Sequence, residues 1–119
     1  MHITRLLHAA ILVSDLDRAR RFYGGVLGLK EKPRPSFDFP GAWYDLGEFE
    51  LHLMMATEPL TPAEERPLRD FHVAFLIEDY DKTKQALLEA GLSFREGSYG
   101  LKQIFMLDPD GNLIELQSV

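Results

Sequence analysis

Apolar and polar residues follow one order along the chain, and that order occurs twice. In the first half, the apolar run at residues 7–13 predicts a β-strand. Apolar residues then recur at helical spacing between Ala19 and Leu27. Ser14 or Asp15 can cap this helix, and Gly28 can end it. The pattern therefore predicts a strand followed by a helix.

The second half repeats this beginning. Residues 71–77 predict a strand, Asp79 or Asp81 can cap the helix that follows, and Gly91 can end it. Three shorter strand signals follow each predicted helix. They lie at residues 29–32, 42–46 and 50–54 in the first half, and at 93–95, 103–107 and 113–117 in the second. Each half is therefore predicted to be a β-α-β-β-β module.

The two halves also match residue by residue. At a shift of 64, His8 falls on His72 and Asp15 falls on Asp79. At a shift of 63, His52 falls on Glu115, with leucine or isoleucine on both sides of each. We therefore expect one α+β domain of two tandem modules, at about residues 1–57 and 68–119, with residues 58–67 as a proline-rich linker.

Four polar residues at related positions of the repeat suggest a metal site. His8 and His72 lie on the first predicted strand of each half, and His52 and Glu115 lie on the last. A carboxylate inside an apolar strand is costly to bury unless it is paired or bound to a cation. The chain has no cysteine, so nitrogen and oxygen must hold any metal. Imidazole and carboxylate suit one divalent ion such as Ni, Co, Zn, Mn or Fe.

Charge and hydropathy exclude two classes of partner. The net charge of −6 argues against nucleic-acid binding, which usually requires a basic face. No stretch approaches the length of a membrane-spanning apolar segment. The start of the chain predicts a strand rather than a signal peptide. We therefore expect a cytoplasmic protein that binds neither nucleic acid nor a membrane.

The sequence resembles the vicinal oxygen chelate superfamily, which includes glyoxalase I, extradiol dioxygenases and bleomycin resistance proteins. The motifs that carry the resemblance are LHAAILVSDL at 7–16, FY at 22–23 with LGL at 27–29, FHVAF at 71–75 and DPDGNLIEL at 108–116. The resemblance implies paired modules that form a cupped mixed sheet around a metal or ligand cavity. It also implies a homodimer, and metal ligands at His8, His72 and Glu115. It also implies a fourth ligand from the last strand of the first half, which offers His52 or Glu50. Carboxylate chemistry favours Glu50, but the repeat favours His52.

The resemblance leaves three functions open. The first is a metal-dependent lyase or isomerase of the glyoxalase I type, in which Glu115 can also take a proton from the substrate. The second is an Fe(II) ring-cleaving dioxygenase. The third is a non-catalytic protein that binds a drug or metabolite, as bleomycin resistance proteins do. The four candidate ligands favour the first function.

Overall fold

The computed structural model describes all 119 residues as two units, Met1–Leu60 and Thr61–Val119. In the first unit, β1 is His8–Val13, α1 is Leu16–Arg20 with a π-helical continuation Arg21–Val26, β2 is Lys30–Lys32, β3 is Gly41–Asp45 and β4 is Glu50–Met55. In the second, a 3-10 turn Ala63–Glu65 precedes β5 at His72–Leu76, α2 at Tyr80–Glu89, β6 at Arg95–Glu96, β7 at Gln103–Leu107 and β8 at Leu113–Gln117. The predicted α+β class and the two β-α-β-β-β modules are confirmed.

Each module forms a four-stranded mixed sheet with the same strand order. The order is β1-β4-β3-β2 in the first module and β5-β8-β7-β6 in the second. In each, the first and last strands pair in parallel, and the other neighbours pair antiparallel. His52 lies opposite Ala10 and Trp43, and Glu115 lies opposite Ala74 and Phe105. His52 and Glu115 therefore occupy equivalent positions, as the repeat predicts.

Both helices begin at an aspartate. The side chain of Asp15 accepts a hydrogen bond from the Arg18 backbone N–H at 3.0 Å, and that of Asp79 accepts one from Lys82 at 3.0 Å. These bonds satisfy backbone donors that have no partner within the helix. Of the two cap candidates in each half, the structure selects Asp15 and Asp79. Gly91 follows the second helix with φ +70°, a conformation that favours glycine.

The first helix is less regular than its apolar spacing predicts. After Arg20 it widens into a π-helical segment, in which the Leu27 N–H donates to the Phe22 carbonyl at 2.9 Å. Phe22 and Tyr23 are buried in this segment, and two glycines follow them. Glycine has weak helix propensity, so the burial of the two rings, and not helix propensity, determines the backbone conformation of this segment.

One face of each sheet contains the core, and the other carries the candidate ligands. Val13, Leu51 and Ile114 are completely buried on the core side. Side chains alternate along a strand, so their neighbours point to the opposite side. We call that side the open face of each module. On it, Leu12 is 48% exposed and Leu76 is 74% exposed.

None of the helices combines the length and the apolar character that a membrane span requires.

Candidate metal centre

His72 and Glu115 meet on the open face of the second module. They belong to β5 and β8, which are parallel neighbours in the sheet. His72 Nε2 lies 3.0 Å from Glu115 Oε2. Glu115 is only 7% exposed, although it lies on the open face. The buried carboxylate therefore has the partner that its burial requires.

The hydrogen bond formed by the other ring nitrogen of His72 determines which nitrogen carries the proton. His72 Nδ1 lies 3.0 Å from the Asp70 carbonyl oxygen, which can only accept a hydrogen bond. Nδ1 must therefore carry the proton, and in a neutral ring Nε2 then presents a lone pair to Glu115 Oε2. Two acceptors at 3.0 Å repel each other unless a proton or a metal cation lies with them. The geometry calls for a positive charge at this point.

The distance between the two acceptors matches that of neighbouring metal ligands. Ligand bonds of about 2.1 Å at angles of 90–109° separate two donor atoms by roughly 3.0–3.4 Å. The 3.0 Å between His72 Nε2 and Glu115 Oε2 falls at the short end of this range. Glu115 Oε1 is occupied separately, because it accepts a hydrogen bond from Gln103 Nε2 at 2.9 Å. The imidazole and carboxylate therefore fit a divalent ion.

His8 and His52 also lie together, on the open face of the first module, but their rings are stacked. The ring centroids are 4.0 Å apart and the planes differ by 16°. The His52 ring also stacks on Trp43, at 4.1 Å and 2°. An imidazole binds a metal in the plane of its ring, so two stacked rings do not point at one ion. One of the two rings must rotate before His8 and His52 can share a metal.

Glu50, the alternative fourth ligand, is already engaged on the same face. Its carboxylate accepts hydrogen bonds from the Lys32 ammonium and from His52 Nε2, the latter at 2.9 Å. The Lys32 ammonium and the His52 ring hold the pKa of the Glu50 carboxyl below its ordinary value. The hydrogen bond to Glu50 likewise raises the pKa of Lys32. Because ionised Glu50 can only accept, His52 Nε2 donates, and His52 Nδ1 keeps the lone pair.

The structure thus brings the four predicted ligands together as two pairs. It contains no group of three or more histidine, cysteine, aspartate or glutamate side chains arranged to hold a metal ion. The sequence patterns did not identify Lys32 or Gln103. A signal existed for Gln103, since it begins a strand that pairs antiparallel with the strand of Glu115. Polar alternation along β7 places Gln103 on the open face.

Comparisons with known proteins identify the family of the chain. A family model described as the Glyoxalase/Bleomycin resistance protein/Dioxygenase superfamily matches residues 5–116. The chain is 32% identical over 124 residues to Glyoxylase I 4 of Arabidopsis thaliana, covering 98% of this chain and 71% of that protein.

Solved structures show the same architecture. A glyoxalase family protein from Bacillus anthracis superposes with a TM-score of 0.83 at 26% identity, covering 99% of this chain and 97% of that one. A fosfomycin resistance protein from Listeria monocytogenes, solved with Mn(II) and a dihydroxypropylphosphonic acid, gives a TM-score of 0.77 at 18% identity. That match covers 98% of this chain and 93% of the other. At such low identity the second match shows a shared fold.

Proposed function

The chain belongs to the Glyoxalase/Bleomycin resistance protein/Dioxygenase superfamily, and we propose that it is a metal-dependent lyase or isomerase of the glyoxalase I type. The observation that carries the proposal is the pair formed by His72 and Glu115, whose facing atoms lie 3.0 Å apart, at the spacing of two ligands of one divalent ion. The relative from Arabidopsis thaliana, named as a glyoxalase I, supports the reaction type. The substrate is a small molecule with oxygen atoms that can chelate a metal.

We propose that one divalent ion, Ni, Co, Zn, Mn or Fe, is held by His72, Glu115, His8 and His52. When bound, such an ion polarises substrate oxygens as a Lewis acid. In the second module, Nε2 of His72 is the nitrogen available to it, because Nδ1 donates to a backbone carbonyl. In the first module, Nδ1 of His52 is available, because Nε2 donates to Glu50.

Glu115 is proposed to move the proton in the reaction. Gln103 holds its Oε1 atom at 2.9 Å, so Oε2 can exchange partners while the carboxylate stays in place. A lyase or isomerase of this type needs a base beside a carbon whose neighbouring oxygen is polarised. The burial of Glu115 keeps water from competing for this atom.

A second function, binding of a drug or metabolite without catalysis, has one observation in its favour. Within the first module, the His8 and His52 rings are stacked with centroids 4.0 Å apart, so they do not point at one ion. A protein that only binds its ligand does not need these rings as metal ligands. A turnover experiment separates the two functions.

The experiment measures turnover of hemithioacetals, formed from methylglyoxal and small thiols including glutathione, in protein loaded with each divalent metal. We expect metal-dependent formation of the thioester product. Glu115→Gln keeps the size of the side chain but removes the base, so turnover should fall by about a hundred-fold or more. Absence of product with every metal would favour the binding protein, and equal product formation in wild type and Glu115→Gln would reject Glu115 as the base.

A further inference from the structure

The second module contains a cavity of about 510 Å³ whose lining includes none of the four candidate metal ligands. Four segments of the second module line it, and most of their side chains are apolar. They are the segment before β5, with Ala63, Arg66, Pro67, Leu68 and Asp70; residues 92–95; β7 at Phe105, Met106 and Leu107; and Gly111 with Leu113. A volume of this size lies within the ~300–1,000 Å³ typical of small-molecule sites.

This cavity adjoins the pair formed by His72 and Glu115. Asp70 lines the cavity, and its carbonyl oxygen accepts the hydrogen bond from His72 Nδ1 at 3.0 Å. Leu113, also in the lining, is the strand partner of His72. The Phe105 ring meets the His72 ring edge to face, with 6.3 Å between centroids. A molecule in the cavity therefore lies next to the proposed reacting groups.

The charged residues of the lining differ in the hydrogen bonds that they form with the rest of the protein. Arg66 donates hydrogen bonds to the carbonyl oxygens of Thr61 and Gly111 and to Asn112 Oδ1, at 3.0–3.1 Å. These bonds fix the position of its guanidinium. Asp70 is the only acid in the lining, and its Oδ1 accepts a hydrogen bond from the Phe71 backbone at 2.8 Å. The lining therefore carries two cations and one anion.

Arg95 is the cation that can meet a ligand. Its guanidinium lies 4.3 Å from the centre of the Phe105 ring and forms no ion pair with a carboxylate. A guanidinium stacked on an aromatic face keeps its N–H groups directed outward in its own plane. The ring thus positions Arg95 while its hydrogen bonds stay available for a planar anion.

We propose that this cavity binds a small organic acid, with its apolar body among the leucine and phenylalanine side chains and its carboxylate on Arg95. Phe105 contacts both Arg95 and His72, so this ring links the proposed carboxylate site to the proposed reacting groups. The claim that this acid is the substrate rests on the proposed function. The claim that the acid binds does not, because it depends on the cavity and on Arg95 alone.

The test measures binding without turnover. Isothermal titration of the purified full-length protein compares 4-phenylbutyrate with its neutral amide, which has the same apolar body. We expect the acid to bind about ten-fold or more tightly than the amide, because a hydrogen bond to a charged group is worth more than a neutral one. Arg95→Met should remove this preference, and Arg95→Lys should restore part of it.

The control is Arg69→Met, which removes an exposed arginine near the cavity but outside its lining. This variant should keep the preference for the acid, which excludes a general effect of net charge. The proposal is overturned if wild type binds neither compound, if acid and amide bind equally, or if Arg69→Met and Arg95→Met weaken acid binding alike. A failed turnover assay with acid binding intact would reject the lyase and leave this site standing.

Discussion

At the level of single residues, hydrogen bonds to the backbone and to neighbouring side chains decide which atoms can react. Asp70 fixes the tautomer of His72 through a carbonyl oxygen at 3.0 Å, and Gln103 holds one oxygen of Glu115 at 2.9 Å. Each of these partners leaves one atom of the pair uncommitted. Such supporting bonds orient metal ligands and commonly change metal affinity by about 10–100-fold when lost.

The fourth ligand is a prediction at this level, and we expect it to be His52. Glu50 is held by Lys32 as well as by His52, so its carboxylate is less available to a metal. Replacing His52 with alanine should weaken metal affinity by on the order of ten-fold or more, and Glu50→Ala should weaken it less. Trp43 is the only tryptophan and stacks on His52 at 4.1 Å, so its fluorescence reports binding at that ring.

The two variants serve as controls for each other, because both remove a polar side chain from the same strand. A larger loss of affinity in Glu50→Ala than in His52→Ala would reject the assignment from the repeat. A metal titration that leaves the emission of Trp43 unchanged in wild type would reject it independently.

At the level of elements, period-two alternation and the repeat predicted most of the fold. The bounds of β7 and β8 match residues 103–107 and 113–117, because a turn with proline and glycine separates two apolar strands. β6 consists only of Arg95 and Glu96, the two residues that pair with β7. It is therefore shorter than the predicted strand at 93–95 and lies further along the chain. Such a short edge strand has little hydrophobic pattern to mark its ends.

The sequence predicted which residues belong to the candidate site, but not how their side chains meet. Alternation places His72 and Glu115 on one face, but the side-chain directions that bring Nε2 to Oε2 depend on tertiary packing. The stacking of His8 on His52 and the bond between Lys32 and Glu50 join residues from different strands. A linear pattern gives no distances between such residues.

A hydrogen bond from Tyr80 to Glu96 links helix α2 to strand β6. It predicts how the stability of the protein depends on pH. The Tyr80 hydroxyl donates to Glu96, which also pairs with Lys84, and this bond raises the pKa of Tyr80 from 10.0 to about 12. The neutral phenol is thus favoured in the folded protein. Its stabilising contribution is complete below pH 10, the unfolded value, and is lost as the pH rises toward 12.

Ultraviolet titration of tyrosinate at 295 nm checks this expectation. Wild type should show a late ionisation step, and Tyr80→Phe should reduce it. Tyr99→Phe, which removes a tyrosine that is 84% exposed, is the matched control and should leave the late step in place. If Tyr80→Phe leaves the titration above pH 11 unchanged, the hydrogen bond to Glu96 does not form in solution.

At the level of the whole molecule, exposed apolar side chains predict a homodimer. Leu76, the last residue of β5, is 74% exposed, and Phe71, directly before this strand, is 97% exposed. Each sheet also has two edge strands, β1 and β2 in the first and β5 and β6 in the second, whose outer backbone groups have no strand partner. A second copy of the chain can cover such surfaces.

Light scattering at micromolar concentration tests the dimer. The expected mass is twice the 13.6 kDa of one chain. Placing a charge on the exposed apolar surface, as in Leu76→Glu, should shift the mass toward one chain, while Leu88→Glu on the outer face of α2 should not. A wild-type mass of 13.6 kDa would contradict the prediction.

The central claim is that His72 and Glu115 hold a divalent metal ion, and metal analysis tests it most directly. Protein dialysed against Ni, Co, Mn, Fe or Zn and then freed of unbound metal should retain about one ion per site by mass spectrometry. His72→Ala should retain none, whereas His2→Ala, which removes an exposed histidine outside both pairs, should retain as much as wild type. Wild-type protein that takes up none of the five metals, or His72→Ala that binds as much as wild type, would contradict the account.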